Sequence, residues 1–155
     1  MSISASHILD HTPIASKLNE DLLLAYLDTE YRVYLPDNQT IVLRIGMENG
    51  YLKRLHQQYG ASCSAFLTAW NPFSHQTDDL TNSQRQSQLA KNLNLADFKT
   101  LSAFGIHKNG DMSGEESLLS LGMNLADAIE CGQRWEQNAI VWIGSDATPK
   151  LVLLQ

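Results

Sequence analysis

Hydrophobic positions along the chain change period several times, and each change marks an element. Residues 1–16 have weak periodicity and read as a loosely packed leader closed by Pro13. "NEDLLLAYLDT" then repeats at helical spacing: Leu22, Leu23 and Tyr26 make the stripe, Asn19 can cap, and Glu20 and Asp21 suit the positive helix end. "YRVYL" and "TIVLRIG" flank Pro36-Asp37-Asn38-Gln39, which predicts a hairpin with Ile41, Leu43 and Ile45 on one face. A second helix follows, capped by Asn49, with Leu52, Leu55 and Tyr59 as its stripe and Gly60 as its stop.

From Ser62 onward the order becomes more informative. A strand over 62–70 precedes a helix near 82–93, where Thr81 and Gln84 have capping-box spacing. A strand over 98–107, a loop with Gly110 and Gly114, and a short strand over 117–122 come next. Asn124 and Asp127 open a helix to about Arg134, and strands over 138–143 and 150–154 end the chain. The expectation is a single α+β domain over 1–155 with a mixed sheet. Its β-α-β-β-α-β run, about 62–143, predicts a ferredoxin-like core, with a helix-hairpin-helix before it and a C-terminal strand after it. Right-handed crossovers would place the third strand of that core between the first two, antiparallel to both.

This topology gathers the unusual polar residues at one sheet edge: Thr68 to Asn71, Asn82, His107, Glu115 to Ser117, Gln137 and Asn138. In "LTNSQRQSQLAKNL", Leu89 and Leu93 form the buried stripe, and counting back along it reaches Asn82, flanked by Arg85 and Gln86. Buried amides need partners, so the pattern predicts a polar cleft against that end of the helix. Trp70 would give a stacking surface and Asn71 a fixed amide. The plainer account is that Asn71-Pro72 starts a turn and Trp70 is a packed aromatic. Counting back by twos from Leu121 and Leu119 aims Glu115 along the buried face, as a general base, a ligand partner or an ion-pair mate for Arg85. Gln137 and Asn138 either bond a ligand or satisfy backbone groups at the preceding helix end.

The candidate ligand-binding set is therefore Thr68, Trp70, Asn71, Asn82, Arg85, Gln86, Glu115, Gln137 and Asn138. Glu115 is the candidate acid or base if a reaction is catalysed, with His75 or His107 as the alternative. On this reading Asn82 is kept for a ligand, and leucine in its place leaves stability unchanged or raises it; the alternative is that Asn82 satisfies the backbone of the Trp70-Asn71-Pro72 corner, and leucine then costs about 1–3 kcal/mol.

Charge and composition narrow the function. Seventeen acidic residues against eleven basic ones give −6 at pH 7, and the Lys and Arg are scattered, so no nucleic-acid surface is expected. The longest clearly apolar run, "LLLAYL", is far below the roughly 20 residues of a membrane span, so no membrane association is expected. There is no Lys or Arg before Lys17, and Asp10 interrupts the apolar start, which argues against a signal peptide and for a cytoplasmic protein. Cys63 and Cys131 sit in apolar patterns at no motif spacing and read as reduced core residues. "HILDH" spaces His7 and His11 like a helical zinc pair but offers no third ligand, so neither metal nor cofactor is expected. "GIHKNGDMSG" lacks the strand-to-helix setting of a phosphate loop, and Ser74-His75 is no dyad by adjacency alone.

Taken in order, "AYLDTEYRV", "TAWNPFS", Asn82, "EESLL" and "QNAIVW" resemble a bacterial family catalogued as domain of unknown function 3293, over roughly residues 20 to 152. Members of that family often carry a Trp before the acidic pair, where this chain has Met112 and Ser113. The resemblance implies a small stand-alone bacterial protein and brings no activity with it. From the residues, the expected function is binding of a polar small molecule, nucleotide-like or amino-acid-like, in an amide-rich cleft. The alternative is a non-catalytic interaction module, a homodimer joined through a sheet edge or through exposed Trp70 and Trp135.

Overall fold

A computed structural model describes residues 7–12, 18–107 and 114–155. In chain order the elements are β1 (Ile8–Asp10), α1 (Glu20–Leu27), β2 (Thr29–Tyr34), β3 (Thr40–Leu43), α2 (Gly50–Gln58) and β4 (Ser64–Leu67). They continue with α3 (Asp79–Leu95), β5 (Lys99–His107), β6 (Glu115–Leu121), α4 (Leu125–Arg134), β7 (Ala139–Ile143) and β8 (Pro149–Leu153). The eight strands make one mixed sheet in the order β1-β8-β7-β4-β6-β5-β2-β3. β6 lies between β4 and β5, antiparallel to both, and β7 pairs antiparallel with the other side of β4. The fold class is α+β.

Helices cover both faces of this sheet, which explains why "SAFL" in β4 is buried at every position. Phe66, Leu101, Leu119, Leu121, Val141 and Leu151 point to one face, where Leu52 and Leu55 of α2 join them and Leu23, Tyr26 and Leu27 of α1 pack alongside. Ala65, Leu67, Ile140 and Val152 point to the other, against Leu89 and Leu93 of α3 and Ala128 of α4. Asn19, Asn49 and Asn124 each accept a backbone N–H at a helix start, a contact worth about 1 kcal/mol.

Three boundaries and one assignment differ from the sequence pattern, and the first is β4, expected over 62–70 but confined to Ser64–Leu67. α3 begins at Asp79 because Asp78, not Thr81, is its cap and accepts the Thr81 N–H at 2.9 Å. β6 starts at Glu115, two residues before the expected Ser117, because its ladder with β5 extends to the Gly105–Glu115 pair. Residues 8–10, read as part of the leader, form β1, which runs parallel to β8 and is extended by a bond from His11 N to Leu153 O. Pro13, Gly110, Met112 and Ser113 lie outside the described residues. No helix among the described residues is long and apolar enough to cross a membrane.

Buried groups away from the polar edge have ordinary packing roles. Cys63 Sγ donates to Met123 O, and burial pushes the Cys131 thiol up to about 11, which leaves it little thiolate at neutral pH. At the far end of β4, buried His56 shares a 2.8 Å hydrogen bond with Ser64, and desolvation holds its pKa below the ordinary imidazole value.

Candidate functional site

After β4 the chain turns sharply through Trp70-Asn71-Pro72-Phe73-Ser74. Asn71, Phe73 and Ser74 all adopt left-handed backbone angles, with φ of 47°, 52° and 62°. Such conformations cost roughly 1–3 kcal/mol each in non-glycine residues, so surrounding contacts must impose them. Asn82 supplies three: its Oδ1 accepts from Asn71 N at 2.9 Å, and its Nδ2 donates to Asn71 Oδ1 at 2.8 Å and Thr77 O at 3.0 Å. Thr77 N donates to Asn71 Oδ1, and Phe73 N reaches Glu136 O across the sheet end.

The neighbouring α3 side chains are tied down in the same way. Gln86 Oε1 accepts from Ala69 N at 2.9 Å. The Arg85 guanidinium donates to Ala69 O at 2.9 Å and Trp135 O at 2.8 Å, pairs with Glu136 at 3.3 Å, and lies over the Trp135 ring. The expected alternative of an Arg85–Glu115 pair is therefore replaced by Arg85–Glu136. Gln137 donates to Trp70 O and Trp135 O, and Asn138 Nδ2 donates to Ser74 Oγ at 2.9 Å.

A cavity of about 780 Å³ opens beside this scaffold, under α1. Leu22, Ala25 and Tyr26 roof it, Tyr31, Phe66, Phe104 and Val141 give it apolar and aromatic walls, and Thr68, Asn71, Ser74 and Glu115 bring polar atoms to it. Tyr31 and Phe66 meet edge to face, with ring centres 5.1 Å apart. Tyr26 Oη lies 3.3 Å from Ser74 Oγ, which links the roof to the strained turn. The volume falls within the roughly 300–1,000 Å³ of small-molecule sites.

Of the sequence-derived set, Thr68, Trp70, Asn71, Glu115 and Gln137 line the cavity. Asn82, Arg85, Gln86 and Asn138 stand outside its walls, bonded to the protein itself. His107 lines it and His75 does not. Trp70 and Trp135 are half-buried, not exposed platforms. The roof was missed altogether. Two signals for it were present: Tyr26, a hydroxyl on a helix stripe that needs a partner, and Gly105, a lone glycine inside a strand.

Glu115 is the half-buried carboxylate at the centre of this arrangement. Its Oε1 accepts from Asn71 Nδ2 at 3.2 Å, and it makes no ion pair among the described residues. Desolvation raises its pKa above the ordinary carboxylate value, and the Asn71 bond opposes that in part. A folded pKa above the unfolded one means that this carboxyl favours folding fully at low pH and loses that contribution as pH rises through the folded value. Glu115→Gln should therefore raise unfolding stability by about 0.5–2 kcal/mol near pH 7, with the gain shrinking toward zero near pH 4. Urea melts at the two pH values measure it, and an equal gain at both would assign it to packing instead of charge.

Residues 67–140 match a family model described as "Protein of unknown function (DUF3293)". Over that segment the chain is similar to the DUF3293 family. No curated protein and no solved structure matches the chain. The strained turn, Glu115 and Gln137 all fall inside the matched segment, whereas the α1 roof and Tyr31 lie before it. Among the described residues, no cluster of three or more His, Cys, Asp or Glu could hold a metal ion.

Proposed function

We propose that this chain binds a polar small molecule in the cavity beneath α1, with Glu115 as its principal polar contact and as the acid or base of any reaction carried out there. One observation carries the reading: a half-buried carboxylate with no cationic partner among the described residues faces a cavity large enough for a metabolite. A strained turn held by a full hydrogen-bond network at the rim supports it, since strain kept at a concave site is characteristic of function. The run β7-β4-β6-β5, joined by α3 and α4, supports reading 62–143 as a split β-α-β-β-α-β unit with the cavity at one end of its strands. Free thiols at Cys63 and Cys131 support a reducing, cytoplasmic setting.

Gly105 provides the test. A Cβ there would sit 3.7 Å from Thr29 Cγ2 and 4.0 Å from Phe66 Cε1, ordinary contacts on the cavity wall. Gly105→Val thus adds bulk to the cavity with its Cβ in ordinary contact, and a β-branched residue suits the strand, so stability should change by no more than about 1 kcal/mol. Ligand-observed NMR with a set of polar metabolites should give hits on the wild-type protein that disappear with Gly105→Val. Hits that persist in the variant, or a wild-type protein that binds nothing, would overturn the reading.

A further inference from the structure

We infer that the ligand is a planar, nitrogen-bearing molecule that presents N–H donors or a positive charge to Glu115, an amidine-like edge on a ring, and that it carries no phosphate or carboxylate at that end. This inference rests on the cavity reading above and narrows its ligand class. It comes from the directions of the hydrogen bonds in the wall. Three hydroxyls of the wall are already committed to backbone carbonyls, Thr68 to Glu116 O at 2.7 Å, Ser117 to Glu115 O at 3.0 Å, and Tyr31 to Tyr26 O at 2.7 Å, while Tyr26 and Ser74 meet each other and Trp70, Gln76, Ser83 and His107 bring further donors to the lining. Two amides of the wall are committed too, Asn71 to Glu115 and Gln137 to two carbonyls. At Glu115 the wall presents a carboxylate acceptor, and a ligand that meets it there must supply the donor.

Charge points the same way. The charged residues among the described lining are Asp79, Glu115 and Glu116, with no Lys or Arg beside them. A phosphate or carboxylate placed there would meet like charge in a partly desolvated space, whereas an amidinium would form the bidentate, charge-assisted pair that carboxylates favour. The remaining wall is aromatic, with Tyr31 and Phe66 edge to face and Trp70 and Phe104 nearby, which suits a flat ring. The nucleotide-like or amino-acid-like ligand expected from the sequence is thus narrowed to its uncharged or cationic, nitrogen-bearing part.

Benzamidinium, benzamide and benzoate share one shape and differ in charge and donors, so calorimetric titration of the three separates the possibilities. Benzamidinium should bind about tenfold to a hundredfold more tightly than benzoate, the span of a charged hydrogen bond. Glu115→Gln should reduce that preference to within about threefold, and Gly105→Val should remove binding of all three. A second series of adenine, adenosine and adenosine monophosphate distinguishes a free base from a nucleoside; the monophosphate should be the weakest. Benzoate or the monophosphate binding best, with the binding lost in Gly105→Val, would overturn the donor assignment and leave the cavity reading intact. Failure of benzamidinium to bind while metabolite hits stay sensitive to Gly105→Val would do the same. Benzamidinium binding that survives both substitutions would overturn both.

Discussion

Asn82→Leu is expected to lower stability by about 2–4 kcal/mol. The substitution removes three hydrogen bonds and leaves Asn71 N and Thr77 O, both on half-buried residues, without those partners, while Asn71 Oδ1 keeps its bond from Thr77 N. Each buried group left unsatisfied costs about 1–3 kcal/mol, reduced where the turn can relax outward. Leucine's better helix propensity and its continuation of the Leu89–Leu93 stripe return only about 0.5 kcal/mol. This favours the alternative reading of Asn82, a brace for the backbone of the Trp70-Asn71-Pro72 corner, over the preferred one of an amide reserved for a ligand. A lower urea midpoint at unchanged slope is the expected result. An unchanged midpoint would show that the strained turn holds itself, and would return the Asn82 amide to the candidate ligand contacts.

Gly132→Ala should destabilise by about 2 kcal/mol, although alanine is the better helix former. Gly132 lies on the face of α4 against the sheet, where a Cβ would come within 2.5 Å of Leu154 Cδ1 and 2.6 Å of Ile140 Cγ2. Ile140 is β-branched and 4% exposed, so its methyl has little room to retreat. Overpacking of this kind costs up to about 3 kcal/mol, and the gain of about 1 kcal/mol in helix propensity does not offset it. Thermal melts of the two proteins decide the sign. A higher melting temperature for the variant would mean that α4 can slide away from β7 and β8.

Local signals in the sequence were reliable wherever the residue's own chemistry set the structure. Asn19, Asn49 and Asn124 are caps because a short acceptor before a periodic stripe has few other uses. The alternation Glu115, Ser117, Leu119, Leu121 assigned the correct face, since a strand has only two. What could not be read was which face each cluster belonged to. Leu89 and Leu93 pack on one side of the sheet and Leu119 and Leu121 on the other, so the apolar stripe of α3 and Glu115 address opposite faces, and only Asp79 and Ser83 at the start of α3 reach the cavity. One-dimensional convergence at a sheet end merged them into one cleft. The amides of α3 brace the turn from behind, and the cavity opens on the far side, under a helix whose placement no local pattern records. β1 escaped notice for a related reason: three residues are too few to show a period, and their partner strand lies at the other end of the chain.

No residue of α1 is fully buried, although the helix lies over the cavity. Eight residues make a helix that is marginal on its own, and this one is held by Leu23, Tyr26 and Leu27 along one side and by the Tyr26–Ser74 contact at the rim. The sheet beneath it is closed independently by the β2–β5 and β5–β6 ladders. Lifting α1 therefore exposes the chamber without breaking a single strand pairing. On the binding reading proposed above, local opening of this one short helix would admit a guest without global unfolding of the sheet.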